Sequence, residues 1–165
     1  DVDGVLTDGS LIFSPGGKEE SKAFNTLDGL GMQLLQASGV KVALITGRNS
    51  KVTAQRAAAL KLDPSLVFLG RNDKITALAE IAASEGLSWE QLAYCGDDLP
   101  DLAAIKKAGF GATVANAPEY LHKYSDYVTQ REGGKGAVRE LTDLIMQAQG
   151  TFTDCLNHYL YSLKA

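Results

Sequence analysis

The feature that most constrains this chain is a repeated alternation of short apolar runs with amphipathic helical stretches. Residues 40–45, 66–69 and 92–95 read as buried strands, and 110–114 as a further strand interrupted by Gly111. Residues 27–37 place Leu27, Leu30, Leu34 and Leu35 near one helical face, and 73–85 does the same with Ile75, Leu78, Ala79 and Ala82. The Ala-rich stretch 51–60 follows Asn49 and Ser50, either of which suits an N-cap. Ser88 and Gln91 have the spacing of a capping box, and Pro100 suits the first turn of a helix that Gly109 stops. Residues 136–149 form the last clear helix. Strands alternating with helices imply parallel β-α units, and so a doubly wound, Rossmann-like α/β sheet.

Two segments break the alternation. Residues 11–13 and 20–24 flank Ser14-Pro15-Gly16-Gly17, a turn signal that predicts a β-hairpin. The tail, 151–165, follows Gly150 and carries Phe152, Leu156, Tyr159, Leu160 and Tyr161, which suit a short amphipathic helix. The expected organisation is therefore a core over residues 1–150, with the hairpin at about 11–24, and a separate tail. Asp-x-Asp-Gly motifs normally follow a short apolar strand, so a strand is expected ahead of Asp1.

A chain of 165 residues suits one domain with a substantial core. Its 16 basic and 20 acidic residues give a net charge of -4, which argues against a nucleic-acid partner. Cys95 and Cys155 are too few for a disulfide framework and fit a reducing, cytoplasmic setting. No apolar run approaches the ~20 residues of a membrane span, and no signal-peptide pattern is present.

In a doubly wound sheet, ligands bind beyond the carboxyl ends of the strands. Asp1 and Asp3 are expected there, after the anticipated leading strand. Thr46, Gly47 and Arg48 follow the strand at 40–45. Gly70, Arg71 and Asn72 follow 66–69, with Lys74 opening the next helix. Gly96, Asp97, Asp98 and Asp101 follow 92–95. Carboxylates gathered so closely repel by roughly 4 kcal/mol per pair at ~4 Å and an effective dielectric of ~20. A divalent cation relieves that conflict, and Mg²⁺ takes oxygen ligands while keeping waters that a phosphate can replace. Each element alone has a plainer reading: Asp-Gly as a turn, Thr46-Gly47 as a strand exit, Lys74 as a solvated helix residue, Asp97-Asp98 as helix capping. Their order and shared position at the strand ends point to phosphate chemistry.

The run Asp1-Val2-Asp3-Gly4-Val5-Leu6-Thr7-Asp8-Gly9 resembles the first motif of the haloacid dehalogenase superfamily. Ile45-Thr46-Gly47-Arg48 resembles its second motif, Lys74 its third, and Gly96-Asp97-Asp98-Leu99-Pro100-Asp101 its fourth. The likeness extends to about Gln149. More narrowly, Lys22-Ala23-Phe24-Asn25, Asp28-Gly29 and Gly133-Gly134-Lys135-Gly136-Ala137-Val138-Arg139-Glu140 resemble a capless subfamily of sugar-acid phosphatases. The spacings agree, since neither 1–46 nor 74–97 leaves room for a cap domain.

That resemblance implies hydrolysis of the 8-phosphate of an eight-carbon sugar acid in lipopolysaccharide precursor synthesis. Asp1 is then the nucleophile and Asp3 the acid and base. Thr46 and Lys74 stabilise the phosphoryl group. Mg²⁺ is held by the Asp1 carboxylate, the Asp3 carbonyl and Asp97. Asp98 and Asp101 orient metal waters or Lys74, or simply cap the following helix. Gly47, Arg48, Lys135 and Arg139 face the substrate, and the assembly is a homotetramer built through the hairpin. The alternatives are a nine-carbon acylneuraminate 9-phosphate as substrate, a phospho-accepting signalling domain, or a non-catalytic assembly subunit.

Overall fold

The computed structural model describes residues 1–16 and 20–161. The predicted turn at Gly17 and the tail beyond Tyr161 lie outside them. The hairpin is present as β1 (Ile12–Phe13) and β2 (Glu20–Ser21), antiparallel, with Ile12 opposite Ser21. It leads into α1 (Thr26–Ala37), whose N-cap Asn25 accepts a hydrogen bond from the Leu27 amide at 2.8 Å.

The parallel strands fall into two sheets. One pairs β3 (Leu44–Ile45) with β4 (Val67–Phe68); the other runs in the order β5 (Ala93–Gly96), β6 (Phe110–Thr113), β7 (Tyr127–Val128). Helices α2 (Lys51–Ala59), α3 (Lys74–Glu85), α4 (Leu102–Lys107), α5 (Glu119–His122), α6 (Ala137–Ala148) and α7 (Phe152–Tyr161) connect and follow them. This is the expected α/β class, and no cap domain interrupts the described residues.

Several boundaries differ from expectation. Only Leu44–Ile45 of the predicted strand at 40–45 pairs with another strand. The strand predicted from residue 66 starts at Val67, because Pro64–Leu66 winds into a 3-10 turn. Pro64 fixes its own φ and Asp63 accepts from the Ser65 amide at 2.9 Å, so local capping wins over β propensity there. The helix expected from Pro100 begins as a 3-10 turn, Leu99–Asp101, before α4.

Side chains alternate across β3, so its two residues enter different cores. Ile45 joins Val5, Leu78, Ile81, Tyr94, Ile105 and Val114, while Leu44 joins Val2, Leu6, Met32 and Leu60. The opening segment thus contributes to both cores. The Asp1 backbone nitrogen donates to the Cys95 carbonyl on β5 at 2.8 Å, which seats this segment beside the three-stranded sheet.

Candidate active site

The site grows from a tight turn after Asp1. The amides of Val5, Leu6 and Thr7 all donate to the Val2 carbonyl at 3.3, 2.9 and 3.2 Å, and Thr7 Oγ1 accepts from the Gly4 and Gly9 amides. Gly4 adopts φ +91°, and a Cβ there would fall 2.0 Å from Asp97 Oδ2. The missing side chain is what lets the loop after β5 press its carboxylate onto the first turn.

Lys74, the first residue of α3, is 4% exposed. Its ammonium donates to the Asp1 carboxylate and to the Ile45 carbonyl, the latter at 2.9 Å, and lies 3.8 Å from Asp101 Oδ1. Burial pulls its pKa down, opposed by the charges of Asp101, Asp97 and Asp3. Burial, followed by repulsion from Asp101, pushes the Asp97 carboxyl up to about 6. Carboxylate oxygens of Asp1, Asp97 and Asp101 all lie within 4.8 Å of one another. Three carboxylates this close form a donor set that suits a hard divalent cation.

Asp101 is 2% exposed and already well occupied. Its Oδ2 accepts from the Asp97 and Asp98 amides at 3.3 and 3.4 Å, and its Oδ1 from the Tyr94 hydroxyl at 2.5 Å. Asp98 is exposed; it accepts from the Leu99 amide and from the Tyr120 hydroxyl at 2.6 Å. Asp101 therefore organises the loop from within, whereas Asp98 sits on its rim.

Asp3 faces the hairpin. Its Oδ1 accepts from Lys22 at 2.5 Å; its Oδ2 is buried, 3.8 Å from Arg48 Nε, and has no hydrogen-bond partner. Thr46 is 1% exposed; its amide donates to the Phe68 carbonyl at 2.9 Å and its Oγ1 accepts from the Arg48 amide at 3.2 Å. A Cβ on Gly47 would meet Asn72 Oδ1 at 2.4 Å, so the two strand exits pack directly. Lys135 lines a cleft of about 190 Å³ with Asp8, Ala23, Phe24, Asn25 and Gly134.

The structure brings Asp1, Lys74 and Asp97 together, with Asp3 and Arg48 in mutual contact, and places Lys135 beside Asp8 of the opening motif. It does not bring Arg139 to this cluster. That guanidinium donates to Asp143 one helical turn on, at 2.7 Å, and the Arg139 amide donates to buried Asp28 at 2.8 Å. Asp143 stands at the i+4 position on the same helix, where opposite charges meet readily. Lys22 and Tyr94 belong beside the site residues but were not among those expected. Lys22 stood only as part of the subfamily motif, and Tyr94 reads as one more apolar residue of a strand.

Residues 67–141 match the family model of haloacid dehalogenase-like hydrolases. The chain is 42% identical over 167 residues to the 3-deoxy-D-manno-octulosonate 8-phosphate phosphatase KdsC of Haemophilus influenzae, spanning 100% of this chain and 91% of that protein. The crystal structure of the same phosphatase from Moraxella catarrhalis, in complex with magnesium ion, phosphate ion and a KDO molecule, superposes with a TM-score of 0.92 at 45% identity. It covers 96% of this chain and 90% of that one. The cobalt-bound form of the Haemophilus influenzae enzyme gives 0.87 at 43% identity, covering 92% and 87%. The chain belongs to the haloacid dehalogenase-like hydrolases, in the family formed by these phosphatases.

Proposed function

We propose that this protein hydrolyses 3-deoxy-D-manno-octulosonate 8-phosphate to the free sugar acid and phosphate, in lipopolysaccharide precursor synthesis. The observation that carries the reading is the buried Lys74 ammonium on the Asp1 carboxylate, beside Asp97, in a chain so similar to phosphatases of that substrate. An Asp1 oxygen attacks phosphorus and the bond to O8 of the sugar breaks, leaving an aspartyl-phosphate. Asp3 gives a proton to the departing oxygen. It then takes one from a water that attacks phosphorus, and the bond to Asp1 breaks, releasing phosphate. Lys22 donates to one of its oxygens and Arg48 lies 3.8 Å from the other, which fixes the direction of the carboxyl group. The Thr46 hydroxyl donates a hydrogen bond to the phosphoryl oxygens and the Lys74 ammonium offsets their charge.

The Asp1 carboxylate, the Asp3 carbonyl and Asp97 would hold Mg²⁺. Bound there, it supplies positive charge that offsets the clustered carboxylates and the phosphoryl oxygens. Gly47 and Arg48 border the phosphate, and Lys135 faces the sugar acid across the cleft. Residues 1–150 make up the catalytic core, with 151–165 as an appended tail.

The working assembly in this reading is a cytoplasmic homotetramer. Leu11, Ile12 and Phe13 are 38%, 56% and 58% exposed on a hairpin that would be marginal in water alone. A neighbouring copy covering them would also wall a site that lacks a cap. Among the described residues, no helix is long and apolar enough to cross a membrane.

The test is phosphate release from a panel of sugar phosphates, with Mg²⁺ and with a chelator. Preference for the octulosonate ester with loss of activity on chelation supports the reading. Preference for acylneuraminate 9-phosphate would move the substrate to the nine-carbon class, and no release from any ester would refute catalysis.

A further inference from the structure

Tyr94 takes no part in the reaction as described, yet it stands behind the group that does. It lies on β5 at 6% exposure, and its hydroxyl donates to Asp101 Oδ1 at 2.5 Å. Burial, and then the Asp101 charge, push its pKa far above the ordinary phenol value, so the hydroxyl remains a proton donor. Asp101 is further pinned because its Cβ packs where a Cβ of Gly96 would fall, at 2.2 Å. With Oδ2 on two loop amides and Oδ1 on Tyr94, both its oxygens are engaged.

Lys74 Nζ lies 3.8 Å from that same Oδ1, beyond hydrogen-bond distance, while it bonds to Asp1 and to Ile45. Asp1 and Asp101 are therefore rivals for one buried ammonium. In so enclosed a site the attraction to either is strong. The carboxylate whose oxygen already accepts a short hydrogen bond competes less well.

We propose that Tyr94 is a positioning residue. By occupying Asp101 Oδ1 it keeps Asp101 from capturing Lys74, which stays on Asp1 and directed at the phosphoryl oxygen. The inference rests on the phosphatase reading for its kinetic consequence, but its geometric consequence stands apart from activity.

The experiment is Tyr94→Phe in the full chain, which removes one oxygen and keeps the ring. The expected result is a fall in kcat of about tenfold, with KM and the Mg²⁺ activation midpoint within about twofold. A merely structural role would lower the melting temperature without this split. In a crystal structure of the variant, Lys74 Nζ is expected within hydrogen-bond distance of Asp101 Oδ1. Unchanged kcat, or Lys74 still on Asp1, overturns the proposal. If the variant does not fold, a crystal structure of the unaltered protein with orthovanadate decides. Lys74 on vanadate with Tyr94 on Asp101 supports the proposal, and Lys74 on Asp101 overturns it. An unaltered protein that releases no phosphate refutes the phosphatase reading instead, and the same crystallographic positions still test Tyr94.

Discussion

Gly133 lies so close to Gly4 that a Cβ on Gly133 would sit 1.8 Å from the Gly4 carbonyl oxygen. The next amide, Gly134, donates to the Val5 carbonyl at 2.9 Å, and Asn25 donates to the Gly134 carbonyl at 3.3 Å. The loop before α6 therefore braces the turn that carries Asp1 and Asp3. Gly133→Ala is expected to push that turn out of place. Stability should fall by about 1–3 kcal/mol, the usual cost of overpacking, and kcat should fall more than the melting temperature alone suggests. Thermal melting and steady-state kinetics on one preparation check this; near-normal values for both would show that the loop gives way freely.

Asp1→Asn is expected to abolish turnover, by about 10⁴-fold or more, while the fold survives. An amide cannot form the acyl-phosphate. The side chain keeps its size and can still accept from Lys74 through its carbonyl. Phosphate release and circular dichroism are the measurements, and activity within tenfold of the parent would remove Asp1 as nucleophile.

Asp97→Ala and Asp101→Ala should fail in different ways. Asp97 presses on Gly4 and faces Asp1, whereas Asp101 spends its oxygens on Tyr94 and two amides. The first variant should shift Mg²⁺ activation to much higher concentration with little change in melting temperature. The second should lose stability by about 2–4 kcal/mol, as a buried hydrogen-bonded network breaks. Equal shifts in the activation midpoint would show that the ligand assignment is wrong.

The Asp97 carboxyl, raised from 3.8 to about 6, makes a signed prediction. The folded state holds this proton more tightly than the unfolded chain does. Ionisation thus costs stability above about pH 6, and that cost fades as pH falls through 6 toward 4. Asp28, raised by burial, acts with the same sign. Without Mg²⁺, melting temperature should rise between pH 7.5 and 5.5, and the rise should shrink in Asp97→Asn. Because protons compete with the cation, added Mg²⁺ should stabilise more at pH 7.5 than at 5.5. A flat profile in the parent would contradict the burial of this charge.

An Ile12→Asp, Phe13→Asp double variant should dissociate into smaller species in light scattering and bind substrate more weakly. Both side chains are more than half exposed on the single chain, so charge there costs little unless another copy covers them. A monomeric parent with full activity would remove the hairpin from any assembly role.

The alternation of strands and helices, and the order in which Asp1, Asp3, Thr46, Lys74 and Asp97 come, were legible because they are local. Apolar period sets the element type, and in a parallel sheet every strand exit falls on the same edge. What Arg139 and Asp101 do was not legible in this way. Arg139 carries the charge a substrate site would want, but α6 places Asp143 within its reach and the packing of α6 on α1 sets Asp28 against its amide. Asp101 reads as one more acid of the motif until Tyr94, seven residues earlier on β5, is seen to close on its carboxylate. Lys22 meets Asp3 only because the hairpin folds back over the first turn. Apart from the Arg139–Asp143 pair, which is an i,i+4 contact within α6, these pairings join different elements, and a side chain's partner there is fixed only when the layers pack.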